Sequence, residues 1–189
     1  AGKALLINHT LWNRTDTRII AAVRWVVGTS LSSVWFTMNP DGTGVHETPS
    51  PGHFDWDLSQ KVVGWYGTET RLYDTGLNHT VEVIDPTFFT KDGDVAIARD
   101  TNWIATTAGF GTSRYIKVYS LAARAGFRMP AFNASPYVGN GTTGPTEPYT
   151  SQNRIDGSPL WPADATKIYQ TKMASDGTRQ GFIISLTWP

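Results

Sequence analysis

Residues 44–57, GVHETPSPGHFDWD, hold two of the chain's four histidines, three of its sixteen carboxylates and a tryptophan, the densest set of candidate metal ligands in the sequence. Zinc hydrolases commonly place two histidines one helical turn apart so that both imidazoles share a face. His46 and His53 are separated by Pro49 and Pro51, and proline inside that span forbids the helix. Asp55 and Asp57 would share one face of a strand, but the stretch lacks the clustered oxygen ligands of a calcium loop. It reads as a metal-free loop in which Phe54 and Trp56 pack and the aspartates face water.

Nucleophilic chemistry finds little support. Cysteine is absent, which removes thiol catalysis and disulfides together, and no G-x-S-x-G elbow occurs. His9 and His79 lie inside N-x-T sequons, a context that predicts surface exposure. A glycosidase needs two carboxylates facing across a cleft; Asp57 and Glu82 are the candidate pair, with two outward-facing strand carboxylates as the plainer account. GFGT at 109–112 is too sparse for a phosphate loop. No catalytic residue, metal or other cofactor is expected from the residues alone.

Aromatic residues carry more signal. Eight tryptophans exceed what a core of this size ordinarily needs, so some are expected at interfaces, Trp161 and Trp188 foremost because they adjoin prolines in irregular segments. Tyr137, Tyr149, Trp161 and Trp56 are suited to stack on sugar rings or fill protein pockets, and Asn140, Asn153 and Arg154 to supply directed hydrogen bonds. These seven residues form the predicted receptor-binding set. Five of the eight asparagines, Asn8, Asn13, Asn78, Asn133 and Asn140, sit in sequons and are candidate glycosylation sites.

The elements that must position these groups are strands. Alternating or β-branched runs at 3–8, 18–27, 33–38, 61–66, 80–84, 95–99, 115–121, 167–172 and 182–186 predict them. Asp41-Gly42, Asp92-Gly93 and Asp176-Gly177 predict tight hairpins, because such turns need positive φ. SLAARA at 120–125 reads as a turn of helix or a strand end. Residues 131–162 turn to Pro, Gly, Thr, Asn and Ser and predict a long surface excursion. No repeat of 20–50 residues is expected; LINHT at 6–10 and GLNHT at 76–80 are too brief an echo.

The predicted fold is all-β: a single-domain antiparallel β-sandwich over 13–189, of jelly-roll or fibre-head type with long surface loops, preceded by residues 1–12 as a shaft, linker or exchanged strand. Charged residues make up 17% of the 189, below the roughly 25% usual for soluble domains. Lys+Arg and Asp+Glu cancel at 16 each without a basic run, which argues against nucleic-acid binding. The longest apolar run, 18–28, carries two arginines and falls short of a membrane span, so no insertion is expected.

Several features in order resemble the head domain of a trimeric viral fibre, the adenovirus fibre knob in particular. Thr10-Leu11-Trp12 after the apolar segment 4–7 resembles the T-L-W at that family's shaft–head junction. SVWFTMNPDGTGV at 33–45 is similar to its strand–turn–strand, FDWDL at 54–58 stands where an aromatic segment follows, and GFRMPAFNASPY at 126–137 resembles its Gly-Phe-Met-Pro segment. Arg128 interrupts that last run, and the chain closes on SLTWP where the family has Phe-Ser-Tyr-Ile. The resemblance implies a homotrimer on a virion surface or outside the cell, without cofactor, that attaches to a host glycan or protein receptor and does not catalyse. Two rivals stand beside it: a capsid, tail or filament subunit assembled by strand exchange, and a secreted β-sandwich enzyme acting on polysaccharide.

Overall fold

The computed structural model describes residues 5–108, 113–133, 159–162, 165–173 and 179–187. Every regular element among them is a strand, as the β-branched and aromatic runs demand. The chain divides into two compact units, Ala1–Asp92 and Gly93–Pro189.

The first unit holds two antiparallel sheets of four strands, each built from consecutive strands in chain order. One contains β1 (Leu5–Trp12), β2 (Ile19–Val27), β3 (Ser30–Met38) and β4 (His46–Thr48); the other contains β5 (Phe54–Trp56), β6 (Lys61–Trp65), β7 (Thr70–Asp74) and β8 (His79–Val83). Alternation on β2 gives each face its own cast. Ile20 and Ala22 turn inward and, with Trp35, meet Trp56 and Val62 of the second sheet in one buried cluster. The two sheets of this unit therefore pack face to face.

The second unit repeats the pattern with β9 (Val95–Ile97), β10 (Trp103–Ala108), β11 (Ser113–Ser120) and β12 (Ala125–Arg128), to which the short β13 (Phe132–Asn133) adds on β11. β14 (Lys167–Met173) and β15 (Arg179–Ser185) pair antiparallel as a separate two-stranded sheet. Ala105, Ile116 and Val118 form a cluster with Ile168, against which Ile184, Leu186 and Trp161 pack.

Three successive four-stranded meanders thus stand where no repeat was expected. Their strands share topology while their sequences do not, so a search for recurring letters passes over them. Residues 1–12 were expected as a shaft, linker or exchanged strand; β1 pairs with β2 from Leu5↔Trp25 to Trp12↔Ile19. SLAARA supplies the turn between β11 and β12. Asp41-Gly42 lies in the β3–β4 connection, with Gly42 at φ 80°. Asp92-Gly93 makes no hairpin: it falls where the first unit ends, and Asp92 turns back to His53. Asp176-Gly177 lies outside the described residues. The tightest hairpin, Val27↔Ser30, turns on Gly28 at φ 62°, the glycine-first geometry of a two-residue loop.

Candidate functional site

The site begins with a defect in β1. Its register with β2 shifts between Asn8 and Leu11, a bulge that leaves His9 at φ 51°. A non-glycine residue in the left-handed region is held there at a cost of order 1–2 kcal/mol, and bulges re-aim side chains. Here the re-aimed ring lies on Trp35, centroids 5.7 Å apart and planes 23° from parallel. Trp35 is buried and is met edge-on by Phe54 at 5.4 Å. His9 is exposed as a residue, yet one ring face is covered by this stack, and burial holds its imidazole below the ordinary histidine range, with Arg24 and then His53 adding repulsion of the charged form. His9 is thus biased toward the neutral, proton-accepting state.

His53 is placed by close backbone approach. Gly52 at φ 56° lies so near β6 that a Cβ there would stand 2.7 Å from the Trp65 carbonyl oxygen, and one on Gly64 would stand 2.5 Å from that of Pro51. Trp65 N–H donates to the Pro51 carbonyl at 2.8 Å. The Pro-Gly-His turn is therefore pressed on β6, and from it His53 Nδ1 pairs with Asp92 Oδ2 at 3.0 Å. A carboxylate at Nδ1 fixes the proton on that nitrogen and leaves Nε2 for other partners. Asp92 Oδ1 is buried and has no hydrogen-bond partner among the described residues; the same is true of Nε of the half-buried Arg24. A neutral imidazole, a guanidinium and an aspartate-oriented imidazole beside two aromatic rings suit proton transfer at a carbon next to a carboxylate.

The stretch 44–57 is dispersed. His46 and Glu47 lie exposed on β4, and Asp55 Oδ2 pairs with Arg14 at 2.8 Å. Asp57 Oδ1 accepts from Ser59 N–H and Oγ, both at 2.7 Å, and from Lys61 N–H, so it fastens the β5–β6 turn, while Glu82 lies on β8 at the other edge of that sheet. Asp55 and Asp57 were expected to face water; they are half-buried and buried, Asp55 paired with the distant Arg14 and Asp57 with the turn that follows it.

Of the predicted binding set, Trp56 is fully buried, its Nε1–H donating to the Leu11 carbonyl at 3.3 Å, and so belongs to the core between the sheets and presents no face to a ligand. Trp161 is half-buried, packs on the second unit's cluster and donates to the Ala96 carbonyl at 3.1 Å. Tyr137, Asn140, Tyr149, Asn153 and Arg154 lie outside the described residues, as does Trp188. Among the sequons, Asn13 is 2% exposed, its amide donating to Thr15, Thr17 and the Ser59 carbonyl. That amide is a structural clasp and is closed to glycosylation. Asn78 is exposed and accepts from Tyr73 Oη. Asn8 and Asn133 lie on β1 and β13.

His9, Arg24 and Asp92 were missed as site residues. The sequon around His9 pointed to a solvated turn, and Asp92-Gly93 read as a hairpin; the bulge and the long-range pairing that join them leave no local signature.

No protein-family model matches the chain, and no curated protein does. Among solved structures, it matches an oligogalacturonate lyase in complex with manganese with a TM-score of 0.60 and 11% identity, over 96% of this chain and 49% of the lyase. The chain thus spans about half the length of that lyase, and at this identity the likeness establishes shared fold. It overturns the fibre-head resemblance: the fold that accommodates nearly the whole chain belongs to a carbohydrate-active enzyme, and the viral, adhesin and non-catalytic attachment readings fall with it. Thr10-Leu11-Trp12 is the end of a sheet strand, and the SVWFTMNPDGTGV match reflects a hairpin that many antiparallel folds share. Among the described residues no group of three or more His, Asp or Glu could hold a metal ion, so the manganese named with the lyase finds no fitting donor set there. No helix among them is long and apolar enough to cross a membrane.

Proposed function

We propose that the chain carries part of a carbohydrate-active lyase for acidic oligosaccharides, with its chemistry in the first unit. The observation that carries this reading is His9, held by a backbone bulge against Trp35, biased toward neutrality and set beside Arg24 and the His53–Asp92 pair. Elimination at a 4-linked uronate removes the proton from C5, forms the C4–C5 double bond with the electrons released, and breaks the bond from C4 to the leaving oxygen, which takes up a proton. His9 accepts the C5 proton. Arg24 offsets the charge that builds on the adjacent carboxylate, as a fixed cation does most effectively where water is scarce. His53, as the imidazolium with its Nδ1–H held by Asp92, gives its Nε2 proton to the leaving oxygen and is left neutral.

The four-stranded meanders support the same reading, since each has the topology of a single β-propeller blade, a unit distinct from a jelly-roll sheet. Extracellular placement goes with it, because a sugar polymer is cut where it is met. The test is calorimetric titration of the chain with oligogalacturonate and with a neutral oligosaccharide of equal length. Saturable binding of the acidic ligand alone, weakened at least tenfold in Arg24→Met, is expected; equal affinity for both ligands, or an unaffected Arg24→Met, contradicts the assignment.

A further inference from the structure

Arg71 takes no part in the elimination, yet the fold brings it beside the turn that carries His53. Phe54↔Gly64 on β5–β6 and Gly64↔Arg71 on β6–β7 are cross-strand partners, so these three residues form one row across the second sheet and point to one side. That side faces the site, since Phe54 meets Trp35, on which His9 stacks. Gly64, the middle of the row, has no side chain, and the Pro-Gly-His turn fills its place: the Pro51 carbonyl oxygen lies 2.5 Å and the Pro51 Cβ 3.1 Å from where a Cβ on Gly64 would stand. Arg71 is therefore one strand spacing, about 5 Å, from the residue on which that turn rests. The pairings direct Phe54, Trp56, Val62, Gly64, Arg71 and Tyr73 to this side, and among them Arg71 alone is charged. Its guanidinium is oriented from two directions. Nε donates to Glu69 Oε1 at 2.7 Å, and Cζ lies over the Tyr66 ring, 5.7 Å from its centroid. The two Nη groups have no partner among the described residues, and the side chain is 30% exposed. A guanidinium held at Nε offers its Nη edge, which a carboxylate takes in two parallel hydrogen bonds.

We propose that Arg71 binds the carboxylate of the leaving sugar, the glycosyl residue attached at O4 of the uronate that loses its C5 proton. The inference rests on the lyase reading. In an acidic oligosaccharide each residue brings a carboxylate, and Arg24 is engaged by the one next to the reacting C5. The leaving oxygen departs with the second residue on the side of His53, which protonates it, and Arg71 is the cation beside the His53 turn. It touches no bond that forms or breaks. Arg71 is thus a specificity residue, which selects an acid at the leaving position and has no share in proton transfer.

The test is calorimetric titration with two disaccharides, 4-O-galacturonosyl-galacturonate and 4-O-galactosyl-galacturonate, which share the reacting uronate and differ by one carboxylate on the leaving residue. The wild type is expected to bind the first about tenfold more tightly, as for a charge-assisted pair of hydrogen bonds. Arg71→Met brings the ratio close to one, and Arg71→Lys, the milder change, lowers it by about threefold because it keeps the charge without the fork. Arg24→Met weakens both ligands and preserves the ratio. Equal affinities in a wild type whose binding still depends on Arg24, or the wild-type ratio in either folded Arg71 variant, overturn this inference alone. Binding of neither disaccharide overturns it together with the lyase reading.

Discussion

At the residue scale the account rests on how a few side chains are held. His9 in the fold has its charged form disfavoured, first by burial and then by Arg24 and His53. The unfolded chain therefore binds a proton more readily at this position than the native one, and stability rises with pH across the interval between the two pKa values. The contribution is fully present above the ordinary histidine value and is lost as pH falls through the lowered one. Proton NMR titration of the His9 imidazole is expected to give a midpoint below that of free histidine, and Arg24→Met to move it upward. Gly52 offers a second residue-scale prediction. Alanine there adds a Cβ 2.7 Å from the Trp65 carbonyl at φ 56°, so Gly52→Ala is expected to destabilise by about 1–3 kcal/mol in denaturant unfolding. It should also displace His53 from Asp92.

At the element scale, sheets are held together by alternation and by the clusters it creates. Trp56, fully buried between β2–β3 and β6, is expected to cost about 3–5 kcal/mol when replaced by alanine, and Trp161→Ala, half-buried in its own unit, to cost less; equilibrium unfolding of the two variants compares them. Much of this level was legible in the sequence. β-branched alternation at 61–66 and 95–99 falls on β6 and β9, since side-chain period follows directly from strand geometry. Short strands escaped. β4 and β5 have three residues each, and Phe54–Trp56 lies in a Pro-rich stretch that reads as loop until β6 is there to pair with it. The site escaped for a related reason: His9 is positioned by a bulge and Asp92 by a partner 39 residues away, and neither depends on a local pattern.

At the scale of the whole molecule, the sheets follow one another as four-stranded meanders, an arrangement whose function resides in the groups it presents rather than in the fold itself. The central claim is that the first unit presents a base, a cation and an oriented imidazole to an acidic sugar. Its most direct measurement is the appearance of unsaturated sugar ends, followed by ultraviolet absorbance, when the chain is incubated with oligogalacturonate. The account predicts product with the wild type, a rate lower by about 10²- to 10⁴-fold in His9→Gln, as for loss of a general base, and a smaller loss in Asp92→Asn. Unsaturated product formed equally well by a folded His9→Gln variant, or none from a wild-type chain that binds the substrate, would contradict it.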